Sequence, residues 1–149
     1  MVKIMVERNQ AAVVVPITSD KKVFLQRKDL GYPWNPGMWC FFGGKIEQGK
    51  SDRGADTLTR ELFEELGIEL KGVKYFGSRP YFDIRPSDGR RREGALEVYT
   101  ANFDNGRMSQ VRLKEGAGMS LYERSEIWGL HMVPHNKDIL LEVFRSLPQ

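Results

Sequence analysis

Three glutamates in the middle of the chain have the spacing of a metal site. Glu61, Glu64 and Glu65 lie in a segment whose apolar residues recur at the helical period. On a helix that advances about 100° per residue, Glu65 lies about 40° to one side of Glu61 and Glu64 about 60° to the other. Such like charges repel each other, and carboxylate oxygens are the ligands that Mg²⁺ and Mn²⁺ prefer. The pattern therefore predicts a bound divalent cation. The alternative is an exposed acidic helix face without a function, which would have the same residues. Glu65 borders the apolar stripe, and we expect it to be partly shielded from solvent.

The residues around these glutamates resemble the signature of the Nudix hydrolases. That signature runs Gly, five residues, Glu, seven residues, then Arg-Glu-apolar-any-Glu-Glu-any-Gly-apolar. Residues 60–68 match every specified position of its second half, Gly44 matches the opening glycine, and residues 39–47 look like the lead-in of MutT-type members. The first half departs from the pattern, because seven residues separate Gly44 from Asp52, which stands where the family has its first glutamate. We interpret this as a two-residue insertion that leaves catalysis in place.

The resemblance implies a metal-dependent hydrolysis of the pyrophosphate bond in a nucleoside diphosphate linked to another group. The expected substrate is a (deoxy)nucleoside triphosphate, with an oxidised nucleotide included. By resemblance, Glu61, Glu64 and Glu65 carry Mg²⁺ or Mn²⁺, and the Gly43 carbonyl is a further ligand. Arg60 would orient the carboxylates.

Further site residues lie outside the signature. Residues 114–118 resemble the loop that supplies a general base or an additional metal ligand in MutT-type enzymes, so Glu115 is the candidate, with Glu97 as the alternative. Asn136 stands where MutT-like proteins place an asparagine that reads the base, but it is also a natural helix N-cap. Phosphate contacts are expected from Arg27 or Lys28 after the second strand, and from Arg90, Arg91 or Arg92 in the arginine run.

The elements that must position these residues follow from the hydrophobic pattern. Two β-branched runs around a polar turn predict a hairpin, and two amphipathic segments predict helices. The expected strands are 11–18, 23–26, 39–42, 73–77 and 96–103, and the expected helices are 53–66 and 136–147. Gly67 is the expected C′ residue of the first helix, and Ser51 or Asp52 its N-cap. The order predicts one α/β (α+β) domain over residues 1–149, a mixed β-sheet sandwiched between α-helices, which is the arrangement that the Nudix resemblance implies.

The composition narrows the class of protein. The chain has 149 residues, of which 40% are hydrophobic and 29% charged, with a net charge of +3 and one cysteine. Cys40 therefore has no internal disulfide partner, which fits a cytoplasmic protein, and between bulky aromatic residues it is expected to be inert core. Because charged residues occur near the start of the chain, we expect no export leader. Because its apolar runs are short, we expect no membrane span.

Alternatives remain open on substrate and class. Within the same enzyme class, the substrate could be a nucleotide sugar such as ADP-ribose, or a dinucleotide. A different class is a degenerate Nudix module that binds nucleotide or RNA without turnover, suggested by the altered first half and the run 90–92. That run lacks interleaved aromatics, so we expect a small nucleotide rather than nucleic acid as the partner, with the protein a monomer or a homodimer. His131 and His135 are four residues apart, but Pro134 lies between them and no further cluster completes a zinc site.

Overall fold

The chain is described by a computed structural model that covers residues 6–45, 54–104, 106 and 118–148. Its elements, in chain order, are β1 (Val6–Ile17), β2 (Val23–Arg27), β3 (Trp39–Cys40), β4 (Phe42–Lys45), α1 (Gly54–Leu66), β5 (Leu70–Ile84), β6 (Arg91–Phe103), β7 (Gly118–Tyr122), α2 (Arg124–Ile127) and α3 (Pro134–Ser146). Glu115, Ser51 and Asp52 lie outside the described residues, so the expectations about them stay predictions.

The strands form one mixed sheet. Its central order is β3-β2-β1-β6-β5, with β4 paired to β1 and β7 paired to β2. β1 runs parallel to β6 and antiparallel to β2 and β4. The predicted hairpin of β1 and β2 is confirmed, and in its turn the Thr18 N–H donates to the Lys22 carbonyl at 2.8 Å. The predicted mixed sheet is confirmed with it.

Helices cover both faces of this sheet, because neighbouring residues of β1 point in opposite directions. Val14 packs in a cluster on the α1 side together with Leu58, Leu62, Phe42 and Phe103. Val13 and Val15 pack in a cluster on the other side, with residues of α2 and α3 that include Ile127, Leu140 and Val143. The predicted sandwich of helix, sheet and helix is therefore confirmed.

The end of α1 follows the sequence pattern closely. Gly67 has a φ of 70°, the left-handed conformation that glycine adopts at low cost. Its N–H donates to the Phe63 carbonyl at 3.0 Å, and the Ile68 N–H donates to the Leu62 carbonyl at 3.3 Å. These two bonds satisfy carbonyls that the last helical turn would otherwise leave without partners.

Other boundaries differ from the prediction. α3 begins at Pro134 with Val133 as its N-cap residue, so the expectation that Asn136 caps this helix is wrong. Proline suits the first helical turn because its fixed φ is already helical and its missing N–H is not needed there. β5 and β6 are longer than the predicted strands 73–77 and 96–103, and they form an antiparallel hairpin. β7 and α2 were not predicted from the sequence. No helix in the described ranges combines the length and apolarity that crossing a bilayer requires.

Candidate functional site

The three predicted metal ligands lie on the solvent-exposed surface of α1. Glu61, Glu64 and Glu65 are all exposed to solvent. The expectation that Glu65 is partly shielded is wrong, because α1 buries only a narrow stripe of leucines against the sheet. The Nε of Arg60 lies 3.9 Å from Oε1 of Glu64, with 66% and 63% of the two side chains exposed. An exposed pair of this kind stabilises the helix little.

These carboxylates fit a hard divalent cation. They supply only oxygen donors, and their exposure leaves room for the water molecules that Mg²⁺ usually retains. Within the part of the chain that the structure describes, no three His, Cys, Asp or Glu side chains are grouped closely enough to hold a metal ion. The ligand set of α1 therefore needs further donors or side-chain rotation, and the contribution of Glu115 stays a prediction.

Gly43 and Gly44 lie in β4, the last strand before α1. A Cβ added at Gly43 would lie 2.2 Å from the carbonyl oxygen of Ala12 and 2.8 Å from the Cα of Val13. A Cβ at Gly44 would meet nothing within 4 Å. Only glycine at position 43 therefore allows β4 to approach β1 this closely, whereas position 44 has space for a side chain.

Both glycines line a cavity of about 220 Å³ on the α3 side of the sheet. Its wall also includes Lys28, Asn136 and Arg92. Four predicted site residues are thus brought together: Lys28, Gly43, Arg92 and Asn136. Three others do not line this cavity: Arg27, Arg90 and Arg91.

Strand alternation explains why Arg92 and not Arg91 reaches the cavity. Successive side chains of β6 point to opposite faces of the sheet. The Arg91 guanidinium lies 4.6 Å from the ring centre of Phe82, whereas the Arg92 guanidinium lies 4.5 Å from the ring centre of the buried Trp34. Arg85 approaches the same indole at 5.5 Å. Trp34 therefore joins the loop before β3 to the β5–β6 hairpin.

A buried carboxylate lies at the centre of the cavity wall. Asp83, which is 4% exposed, accepts hydrogen bonds from Asn35 Nδ2 at 3.0 Å and from Arg92 Nε at 2.8 Å. His135 Nε2 lies 3.0 Å from Oδ1 of Asp83. Burial by itself would raise the pKa of Asp83, but the hydrogen bonds from His135, Asn35 and Arg92 outweigh it and hold that pKa well below the usual range. The carboxylate is therefore charged, and its oxygens accept hydrogen bonds from three side chains.

The backbone of Phe41, between β3 and β4, forms another part of the wall. Its N–H donates to Oδ1 of Asn136 at 3.0 Å, and its carbonyl accepts from Nε2 of Gln26 at 3.1 Å. Side chains thus replace the strand partners that this residue lacks. Cys40 next to it is buried, and burial raises the pKa of its thiol, which agrees with an inert core residue.

Glu97, the alternative general base, lies away from the cavity. Its register partner Ala12 neighbours Val13, whose side chain points to the α3 side, so Glu97 lies on the α1 side. Its carboxylate accepts hydrogen bonds from the Tyr75 hydroxyl at 2.6 Å and the Ser78 hydroxyl at 3.1 Å. The bond to Glu97 raises the pKa of Tyr75.

The sequence reasoning missed the polar residues that organise the cavity: Gln26, Asn35, Asp83 and His135. One signal was available for Asp83. It follows Tyr81 by two residues on β5, so both side chains point inward, and a carboxylate at an inward position of a strand must have partners. The partners themselves come from distant parts of the chain, and no spacing indicates them.

Comparisons with known proteins agree on the domain. A family model described as NUDIX domain matches residues 8–137. The NAD-capped RNA hydrolase NudC of Actinobacillus succinogenes is 33% identical over 106 residues, which are 70% of this chain and 35% of that protein. The CTP pyrophosphohydrolase of Escherichia coli is 41% identical over 66 residues, which are 44% of this chain and 47% of that protein. The chain thus spans less than half the length of either relative.

A solved structure shows the same fold at low sequence identity. The MutT protein from Methanosarcina mazei Go1 matches with a TM-score of 0.71 at 17% identity, over 97% of this chain and 98% of that one. At this identity the likeness concerns the fold alone.

Proposed function

The chain belongs to the NUDIX domain family, and from this membership we propose that it hydrolyses the pyrophosphate bond of a nucleoside diphosphate linked to another group, with Mg²⁺ or Mn²⁺ as cofactor. The first candidate substrate is a (deoxy)nucleoside triphosphate. The observation that carries the proposal is the exposed row of Glu61, Glu64 and Glu65 on α1. This helix comes next in the chain after the strand whose two glycines line the cavity.

The roles of the residues follow from their chemistry. Glu61, Glu64 and Glu65 would hold the cation, with the Gly43 carbonyl and Glu115 as further donors and Arg60 orienting the carboxylates. When bound, the cation supplies Lewis acidity and lowers the pKa of a coordinated water. Glu115 is also the candidate to take the proton of the attacking water.

The cavity would hold the nucleoside end of the substrate. Lys28 and Arg92 put positive charge on its wall, and Asn136 presents an amide to it. The Lys28 ammonium lies 4.0 Å from the ring centre of Tyr32, a half-exposed aromatic on the same wall, so this ring offers a stacking surface beside a cation. Arg27 and Arg91 would contact phosphate only if the substrate extended beyond the cavity.

The test is a substrate panel with product identification. Nucleoside triphosphates, oxidised nucleotides, ADP-ribose, dinucleotides and an NAD-capped RNA are each incubated with the full chain and Mg²⁺ or Mn²⁺. We expect cleavage of a pyrophosphate bond in at least one of them, and loss of cleavage with EDTA. Retained cleavage after metal removal would contradict the metal assignment.

A second candidate substrate is a dinucleotide or a nucleotide sugar. A broad groove of about 850 Å³ adjoins the cavity and shares Tyr81 and His135 with it. Pro80, Phe82 and Pro134 give the groove an apolar lining, which suits a second ring system better than a terminal phosphate. The names of the NudC relatives agree with a substrate of two parts. The identity of the cleaved products separates this candidate from the first.

A module that binds nucleotide without turnover is the outcome to infer if no panel member is cleaved and binding persists. The expected cytoplasmic location, the monomeric or dimeric state and the absence of a nucleic-acid partner stay predictions.

A further inference from the structure

A further cavity lies at the opposite end of β2 from the candidate site. Its volume is about 290 Å³, and its described wall consists of Lys21, Arg124, Phe144, Arg145 and Leu147. Lys21 precedes β2, whereas Lys28, which lines the cavity of the candidate site, follows it. The five residues of β2 span about 16 Å, so the two cavities are separate places on the molecule. We call this second place the basic cavity.

Three of the described wall residues of the basic cavity are cations, and they come from three parts of the chain. Lys21 lies in the turn between β1 and β2, Arg124 is the first residue of α2, and Arg145 lies in the last turn of α3. The remaining two, Phe144 and Leu147, are apolar, so none of the described wall residues is acidic. A concave surface with charges of one sign beside apolar side chains concentrates the electric field and attracts an anion.

The acidic residue nearest to Arg145 on α3 is engaged with another partner. Glu142 accepts hydrogen bonds from Nε and Nη2 of Arg79 on β5, at 3.1 and 2.8 Å. The hydrogen bond from Arg79 is also the main cause that lowers the pKa of Glu142, and the charge of Arg145 contributes less. Glu142 therefore neutralises Arg79 before it neutralises Arg145.

The acidic residues of α2 are likewise engaged near their own backbone. Glu123 and Glu126 form the capping box at the start of this helix. Oε1 of Glu126 accepts from the N–H of Glu123 at 2.8 Å. These carboxylates satisfy the helix terminus that Arg124 begins.

Asp20, the acidic residue beside Lys21, faces two other residues of the turn. Its Oδ1 accepts from the Thr18 hydroxyl at 2.5 Å, and its Oδ2 lies 3.6 Å from Nζ of Lys22. Lys21 itself has a φ of 63°, a left-handed conformation that costs a residue with a side chain about 1–3 kcal/mol. Glycine would adopt it at lower cost, so the turn carries a cation at a position where its side chain is not needed for the backbone.

We propose that the basic cavity is a binding site for phosphate groups, separate from the proposed catalytic site. Arginine donates two parallel hydrogen bonds to a phosphate, and lysine adds a compact positive charge. The volume is close to the lower end of the range of about 300–1,000 Å³ that small-molecule sites occupy, so the site suits a pyrophosphate or a phosphate ester. The organic part of an ester would contact Phe144 and Leu147. The proposal does not depend on the proposed hydrolase function.

The first experiment locates anion binding in the full chain. The chain is labelled with ¹⁵N, its amide signals are assigned, and inorganic pyrophosphate or a hexauridylate without terminal phosphates is added in the presence of EDTA. Sodium chloride of equal ionic strength is the reference. We expect saturable shifts at the amides of Lys21, Arg124 and Arg145, as a set distinct from any shifts around Lys28.

The two anions separate the sources of the phosphate group. Shifts at the three amides with pyrophosphate alone identify a free phosphorylated molecule as the ligand, and shifts with hexauridylate identify the phosphates of a nucleic acid backbone. Both results support a phosphate site. Absence of saturable shifts with either anion, or equal shifts with sodium chloride, overturns the proposal.

The second experiment removes one cation from the basic cavity. Arg124→Gln changes an exposed side chain, and Lys74→Gln removes the same charge from an exposed position on β5, at the other end of the central strand order. We expect the dissociation constant of the anion that binds to rise about tenfold in Arg124→Gln, the effect of one charge-assisted hydrogen bond, and to stay unchanged in Lys74→Gln. An unchanged constant in Arg124→Gln, or an equal rise in both variants, overturns the proposal.

The amide spectra of both variants report whether the fold is retained, and Lys21→Gln replaces Arg124→Gln if that variant does not fold. Failure of the proposed hydrolase function is distinguishable from failure of this proposal. It shows as absent turnover on the substrate panel, whereas anion binding to the basic cavity is measured with EDTA and without turnover.

Discussion

Gly43 and Gly44 are adjacent in the sequence and differ in what surrounds them. A Cβ at position 43 would overlap the backbone of β1, whereas position 44 is open. The Nudix resemblance concerns the pair as a motif, while the requirement for glycine at the first position comes from the close pairing of β4 with β1.

We predict that Gly43→Ala lowers the free energy of unfolding by about 1–3 kcal/mol, because backbone atoms of β1 have to move to admit the methyl group. The midpoint of urea unfolding measures this. Gly44→Ala is the matched control and should unfold near the wild-type midpoint. Equal midpoints for the two variants would show that β4 does not pack against β1 as described.

We predict that Glu65→Gln removes most turnover on whichever panel substrate is cleaved, while the unfolding midpoint stays close to that of the wild type. The neutral amide is a poor ligand for Mg²⁺, and the side chain is exposed, so its loss disturbs no packing.

Asp56→Asn is the control for this prediction, since it removes the same charge from an exposed position of the same helix. Helical geometry places it about 140° from Glu61 and about 180° from Glu65. Full activity in Glu65→Gln, or an equal loss in both variants, would argue against a specific cation site on this face.

At the scale of elements, α1 packs against the sheet with one face and presents its carboxylates to solvent on another. Leu62 is 7% exposed and packs against the sheet, while Phe63, its neighbour, is 57% exposed. The apolar stripe at the helical period predicted the buried face, and the acidic residues occupy the remaining surface. The helix is therefore held by one face and presents its carboxylates on another.

We predict that Leu62→Ala lowers the free energy of unfolding by about 2–5 kcal/mol, because it removes apolar area and leaves a cavity between α1 and the sheet. Phe63→Ala should change it by no more than about 0.5 kcal/mol, despite the larger side chain, because that ring contacts mostly solvent. Chemical unfolding of the two variants measures these changes in the free energy of unfolding. A larger decrease for Phe63→Ala than for Leu62→Ala would contradict the assignment of the buried and exposed faces of α1.

At the scale of the whole molecule, Asp83 joins parts of the chain that are far apart in sequence. It lies on β5 and accepts from Asn35 in the loop before β3, from Arg92 on β6 and from His135 on α3. A buried charge with three donors stabilises the arrangement only while it is ionised. Removing it would leave Arg92 without its partner, which is costly in a buried site.

We predict that this carboxylate makes stability depend on acidity. Its pKa is lower in the folded chain than in the unfolded chain, where it is about 3.9, so its contribution is complete above that value and is lost as the pH falls towards the folded pKa. Wild type should exceed Asp83→Asn in unfolding free energy at pH 7, and the difference should shrink below about pH 4. Urea unfolding of both at several pH values tests this, and a constant difference would contradict it.

The sequence alone determined the parts of this protein that depend on local spacing. The glutamates, their common helical face, the glycine that ends α1 and the mixed sheet between helices follow from periodicity, cap chemistry and a motif that is continuous over residues 60–68. The tertiary structure alone decided that Arg92 rather than Arg91 faces the cavity, that Asn136 is held by Phe41 instead of capping α3, and that Asp83 lies at the centre of the network. Hydrogen bonds between residues 41 and 136, or 83 and 135, leave no periodic trace in a sequence, because they depend on how the strands and the last helix pack together.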